Sequence, residues 1–151
     1  MSADRNLNHL YPAFRGIVKQ VLEDMNEYAA VHMPSYTWEV NEGFRTAQYQ
    51  NQLYQKGRTT PGKIVTSLDG YKKISSHQSS LAVDIVPKFN GQWTWNVEVK
   101  HWNYLGHLYR KHGLRWLGET TLRDMPHGEW PRNDKKTYKL ASKWQEQNGL
   151  K

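Results

Sequence analysis

The sequence predicts an α+β fold, helices packed on a small antiparallel sheet, and three patterns predict it. Apolar residues recur at three- and four-residue steps early in the chain, short segments alternate apolar with polar, and Gly, Asn and Asp turn signals separate the two kinds. Leu10, Phe14, Ile17, Val18, Val21, Leu22, Met25 and Tyr28 give the first pattern, an amphipathic opening helix. Tyr36 to Val40 alternates as a strand does and delivers the chain to Gly43 and Arg45. Thr46 suits the N-cap of a second helix that stops at Gly57. From Gly57 to Ser76 the chain is rich in Gly, Thr, Ser and Lys, with turns at Pro61-Gly62 and Asp69-Gly70 and a short strand expected at Ile64-Val65. Loops of this length in compact domains are often functional.

Ala82-Val83-Asp84-Ile85-Val86 reads as a strand on which Asp84 shares a face with Ala82 and Val86, while Val83 and Ile85 point the other way. Asn90-Gly91 is a strong turn signal, and Trp93-Thr94-Trp95 is expected as a hairpin arm. Asn96 is expected to cap a third helix with an apolar face of Val99, Trp102, Leu105 and Tyr109, closed by Gly113. Leu114-Arg115-Trp116 follows as a strand, then an irregular run before Asp124, and Tyr138 to Gln147 reads as a short polar helix with Leu140 and Trp144 one turn apart.

Composition bounds the chemistry. A chain of 151 residues buries roughly two-thirds of its unfolded surface, enough for one core. It has no Cys, so disulfides and thiolate metal sites are excluded and any metal ligand must be His or carboxylate. No apolar run approaches the ~18 residues of a membrane span, and Met1-Ser2-Ala3-Asp4-Arg5-Asn6 has no apolar signal region. The expectation is a protein that is not membrane-embedded and starts in the cytoplasm. A net charge of +7 points to an anionic partner. Seven Trp and nine Tyr beside the basic residues would suit nucleic acid, yet no nucleic-acid-binding signature is present.

The most chemically specific stretch is Ser75-Ser76-His77-Gln78-Ser79-Ser80-Leu81-Ala82-Val83-Asp84, answered by Asp124-Met125-Pro126-His127. Two imidazoles and one carboxylate converging on a point are what a catalytic zinc needs, because such sites take three protein ligands and leave a fourth position open. Asp124 is left over, placed to accept a proton. If Gly128-Glu129-Trp130 is extended, His127 and Glu129 face the same side, and Glu129 competes with Asp124 for the base role. His101, His107 and His112 lie on one predicted helix at separations that do not share a face, so solvent-facing positions are expected for them; His9 and His32 have no partner pattern.

The first of these blocks resembles the Ser-x-His-x-x-Gly-x-Ala-x-Asp signature of the zinc peptidases that include D-alanyl-D-alanine carboxypeptidases, vancomycin-resistance D,D-dipeptidases and phage L-alanyl-D-glutamate endopeptidases. The second resembles that family's Asp/Glu-x-x-His, and Glu42-Gly43-Phe44-Arg45-Thr46 with Gln50 and Leu53 is similar to its Gly-aromatic-Arg-Ser/Thr segment; the likeness runs from about Leu10 to Trp130. The resemblance implies a hedgehog/D-Ala-D-Ala peptidase-like single domain over residues 1–151, with no separate wall-binding domain. It also implies Zn2+ held by His77, Asp84 and His127, with Asp124 as general base. Arg45 matches the arginine that holds a substrate carboxylate or the developing oxyanion; Gln50 and Ser75 match secondary substrate-side positions. Trp116 is a candidate cleft wall, although core packing suits Trp116 and Trp130 equally well, and Arg45 could be a simple ion-pair arginine.

Two departures stand out: Ser80 replaces the usual Gly, so a different loop path is expected, and Gly128 replaces the usual aromatic, which would widen the cleft. An Asp at the base position is similar to the phage branch. The implied function is a monomeric endolysin that hydrolyses the L-alanyl-D-glutamate bond of bacterial peptidoglycan stem peptides, without nucleic acid as partner, held in the host cytoplasm until release to the wall. The alternatives are a D-alanyl-D-alanine carboxypeptidase or dipeptidase, and a metal-bearing wall- or nucleic-acid-binding protein that has lost catalysis. Against the last, binding alone has no use for a proton acceptor beside the metal.

Overall fold

The computed structural model describes residues 2–151. Four helices surround a small antiparallel sheet: α1 (Pro12–His32), β1 (Tyr36–Glu42), α2 (Ala47–Gln55), β2 (Ala82–Phe89), β3 (Gln92–Trp93), α3 (Val99–Lys111), β4 (Arg115–Trp116), β5 (His127–Glu129) and α4 (Lys135–Gln147). The strand order is β1-β2-β5-β4, with β3 pairing β2 as a hairpin arm beyond β5.

The apolar spacing of α1 does what it predicts. Pro12 begins the helix, where its missing N–H costs nothing, and Phe14, Val18, Val21, Met25 and Ala29 are buried along one side. They meet Trp38 and Val40 of β1, Val83 and Ile85 of β2, and Trp102, Leu105 and Tyr109 of α3. Phe14, Val18, Val21 and Met25 each contribute about 1.5–3 kcal/mol by leaving water. Asn26 adds a polar tie, its Oδ1 accepting from Trp38 N–H at 2.8 Å and its Nδ2 donating to Trp38 O at 2.9 Å. This covers unpaired backbone on an edge strand.

Several expectations are corrected. Ile64-Val65 forms no strand; the 57–74 segment stays irregular because it is fastened to α2 by side chains, Gln50 Nε2 donating to Leu68 O and Asn51 Nδ2 to Asp69 O, rather than to a neighbouring strand. Glu98, not Asn96, is the residue before α3, and Val99 is 59% exposed, so the buried face is His101, Trp102, Leu105, Leu108 and Tyr109. His101 therefore does not face solvent; its Nδ1 lies 2.8 Å from the Tyr28 hydroxyl of α1. The last helix starts earlier, at an Asp134 N-cap that accepts from Thr137 N–H, and buries Ala141 and Gln145 in place of Leu140.

Trp116 packs under the cleft and does not line it. Its indole lies against Gly106 and Gly118, where only the missing side chains leave room, and its Nε1–H donates to Met125 O at 2.7 Å. Gly128 does not widen the cleft either, because it points into the core and the Tyr109 ring fills the space, 2.5 Å from where a Cβ would stand. Gly128→Ala is accordingly expected to cost about 1–3 kcal/mol through overpacking, read from the urea midpoint; an unchanged midpoint would show that Tyr109 can move aside freely.

Candidate metal centre and cleft

Sheet register assembles the site. On β2, Asp84 pairs across to Glu42 of β1 on one side and to His127 of β5 on the other, so three ionisable residues form one row across the sheet. A bulge between Val40 and Glu42 resets the alternation at the end of β1. His77 comes from a 3-10 turn, Ser76–Ser79, capped by Ser75, whose Oγ accepts from His77 N–H while Gln78 Oε1 accepts from Ser75 N–H. That turn ends at Ser80, whose backbone is left-handed with φ 60°. Ser80 thus takes the conformation a glycine would supply, and its Oγ accepts from Gln145 Nε2 at 2.8 Å.

The ligand atoms of His77, Asp84 and His127 all lie within 4.8 Å of one another. His77 Nε2 is 3.5 Å from Asp84 Oδ2, and His127 Nδ1 is 3.2 Å from Asp84 Oδ1. Both imidazoles have their outer nitrogen committed. His77 Nδ1–H donates to Gly43 O at 2.7 Å, and His127 Nε2–H donates to Glu129 Oε1 at 2.7 Å. Both outer acceptors take a ring N–H, so the nitrogen left facing inward is the one that offers a lone pair whenever the ring is in its neutral, metal-binding form. Asp84 Oδ1 is buried without a hydrogen-bond partner. Two imidazole nitrogens and a carboxylate oxygen facing one space form a donor set that fits a divalent cation of the zinc type.

The electrostatics agree. Burial works to raise the Asp84 pKa, but the adjoining His77 and His127 outweigh it and hold the carboxyl well below its usual range. Burial likewise opposes a charge on His127, yet Asp84 and Glu129 lift it to about 9. Glu129 stays ionised because His127 and Arg132 offset its burial. The pocket is thus built to hold positive charge, a proton or a metal.

Asp124 stands just outside. Its Oδ2 lies 3.8 Å from His127 Nδ1 and its side chain is 45% exposed. Partial burial first, and the Asp84 charge second, raise its pKa. The 124–127 run is pinned from below: Pro126 O accepts from the Tyr109 hydroxyl at 2.7 Å and from Ile85 N–H at 3.1 Å. Glu129 is the other carboxylate weighed for proton transfer, but it sits behind His127, bound also to Arg132 Nε at 3.1 Å.

Arg45 borders the same cleft as Ser75, His77, Asp84, Asp124 and His127. Its Nη1 donates to Gln50 Oε1 at 2.8 Å and its Nη2 to Glu42, while Arg45 N–H donates to His77 O at 3.1 Å. Gln50 is fully buried behind it, joining Arg45 to the 57–74 segment through Leu68 O. Glu42, Tyr109 and Arg132 were not among the expected site residues, Tyr109 being expected only on the apolar face of the third helix. The spacing of three in Glu42–Arg45 and in Glu129–Arg132 was the local signal available.

Comparison with known proteins agrees with this geometry. A family model described as D-alanyl-D-alanine carboxypeptidase matches residues 69–130. The matched segment contains His77, Asp84, Asp124 and His127, while Arg45 precedes it. The chain is also 32% identical over 99 residues to the peptidoglycan L-alanyl-D-glutamate endopeptidase CwlK of Bacillus subtilis, a match covering 60% of this chain and 58% of that protein. Its fold is similar to the crystal structure of the Serratia marcescens L-Ala D-Glu endopeptidase ChiX, with a TM-score of 0.57, 23% identity and 86% of each chain covered.

Glu129 orients His127, so Glu129→Gln is expected to weaken metal affinity by about 10–100-fold, the usual effect of losing a group that orients a ligand. Competition with a chromogenic chelator measures it, and wild-type affinity in that variant would remove Glu129 from the metal centre.

Proposed function

We propose that this protein is a zinc-dependent peptidoglycan peptidase that hydrolyses the L-alanyl-D-glutamate bond of stem peptides. The observation that carries the reading is the convergence of three inward lone pairs from His77, Asp84 and His127, with a half-exposed carboxylate, Asp124, 3.8 Å outside them. A zinc ion held by the three would act as a Lewis acid, making water acidic near neutral pH and polarising a carbonyl. The chain's own residues do the rest. Asp124 Oδ2 accepts a proton from the attacking water and returns it to the departing amine nitrogen, and its raised pKa suits that exchange. Arg45, held rigid by Glu42 and Gln50, presents its remaining donors to the carbonyl oxygen as negative charge develops there. Ser75 lines the cleft while holding the His77 turn.

The choice of bond is supported by the likeness to CwlK, an L-alanyl-D-glutamate endopeptidase. The second reading, removal of terminal D-Ala, is favoured by the description of the matching family. Mass spectrometry of a peptidoglycan digest separates them. New C-terminal L-Ala and new N-terminal D-Glu are expected, lost on chelation, and Arg45→Ala is expected to slow the reaction about 10²-fold with metal still bound. Free D-Ala as sole product would favour the carboxypeptidase reading, and no product with metal bound would leave a non-catalytic wall-binding protein. The finer reading is a phage-type lytic enzyme stored in the host cytoplasm, supported by Asp rather than Glu at position 124. Lysis of Gram-negative cells with permeabilised outer membranes tests it.

A further inference from the structure

The cleft over the metal centre encloses about 720 Å3 and is walled by five cations, Arg45, Lys56, Arg115, Arg123 and Arg132. Three of these are already committed within the protein. Arg45 is balanced by Glu42, Arg132 donates to Glu129 and to Ile74 O, and Arg115 Nη1 lies 3.8 Å from Glu129 Oε2. Of the remaining two, Lys56 and Arg123, only Arg123 adjoins Asp124 in the chain. Among the described residues its side chain has no hydrogen bond, ion pair or ring contact, and it is exposed. Its backbone is left-handed, φ 52°, a conformation natural to glycine and strained for arginine. The strain is imposed by a closed turn, with Arg123 N–H donating to Thr120 O at 3.1 Å and Asp124 N–H to Leu117 O at 3.3 Å. A glycine would relax this turn, yet the chain carries a free guanidinium there, directly before the proton-carrying carboxylate. Strained residues kept at the wall of a site point to a role in that site.

We propose that Arg123 receives a substrate carboxylate on the amine side of the scissile bond and so makes the enzyme prefer the free acid to its amide. This rests on the peptidase reading above. Asp124 protonates the departing amine, so the residue preceding it on the same wall borders the half of the substrate that leaves as amine. In an L-alanyl-D-glutamate linkage that half is D-Glu, whose α-carboxylate is one carbon from the scissile nitrogen. A guanidinium grips a carboxylate through two parallel N–H···O bonds; a carboxamide offers one oxygen and sets its own N–H donors against the arginine's. Arg45, with its charge balanced by Glu42, remains for the carbonyl oxygen.

The test uses two synthetic stem peptides that differ only in whether the D-Glu α-carboxyl is free or a carboxamide, and three proteins: wild type, Arg123→Gly and Arg123→Lys, each loaded with zinc. Glycine removes the side chain while fitting the left-handed backbone, so the fold is kept; unchanged melting and zinc content verify this. Wild type is expected to favour the free acid by about 10–100-fold in kcat/KM, the range of a hydrogen-bonded charge. In Arg123→Gly that ratio falls to about one, through loss on the acid alone, and Arg123→Lys lies between, since a lysine keeps charge without the fork. An Arg123→Gly enzyme that retains the wild-type ratio, whatever its absolute rate, overturns the assignment. Equal cleavage of both peptides by wild type also overturns it and leaves the peptidase reading standing, whereas cleavage of neither by zinc-loaded wild type removes both.

Discussion

Asp124→Asn is expected to keep the wild-type zinc content and melting temperature while losing about 10²–10⁴ in turnover, the size of a general-base contribution. The separation of the two effects follows from placement. Asp124 approaches the centre only to 3.8 Å and through His127, and its side chain is half-exposed, so an amide in its place leaves the His77, Asp84 and His127 donors and the core untouched. The amide is nearly isosteric but cannot accept and return a proton. Turnover within about threefold of wild type would dismiss Asp124 as proton carrier and turn attention to Glu129, although the latter is buried and already accepts from His127 and Arg132. Loss of metal would place Asp124 among the ligands.

What the sequence made legible was mostly what depends on local pattern. The period-two alternation around Asp84 separates it from Val83 and Ile85, and those two do lie in the core while Asp84 faces the cleft. The helical spacing from Leu10 to Met25 likewise needs only local geometry. His77 was a candidate from the residue pattern that the motif resemblance strengthened; it reaches Asp84 from a separate turn and is fastened to Gly43, 34 residues earlier in the chain, which no local pattern shows. Long-range partners account for what was missed. His101 looks like a surface residue until Tyr28, 73 positions away, is found against it. Trp116 reads equally as cleft wall or core until Gly106 and Gly118 show where its ring fits. The pairing of Glu42 with Arg45 is close in sequence, but its value lies in the sheet row Glu42–Asp84–His127, which no local pattern reveals. Ile64-Val65 has strand propensity, yet propensity needs a partner strand and α2 holds that segment by side chains instead.

Removing any one of His77, Asp84 or His127 is expected to release the metal and abolish activity. Wild type should carry one zinc per chain, and His77→Ala, Asp84→Ala and His127→Ala should each carry little, by elemental analysis after gel filtration. The reason is the small donor set: three ligands are the minimum for a catalytic zinc, and the chain has no Cys to substitute. The cation's Lewis acidity is worth several kcal/mol at the transition state, so activity should fall by about 10³ or more. The variants differ in a way that tests the geometry further. Asp84→Ala leaves two imidazoles facing each other, ring centroids 4.9 Å apart, without the carboxylate that holds positive charge between them. It should be the least stable of the three without metal. A ligand bound only by the folded state stabilises it by about 4 kcal/mol at a thousandfold excess over its dissociation constant. A chelator should therefore lower the melting temperature of wild type by several degrees and leave all three variants unmoved. Full zinc content in all three variants would mean that the ion, if present, sits elsewhere. A chelator shift surviving in only one of them would identify that residue as a bystander.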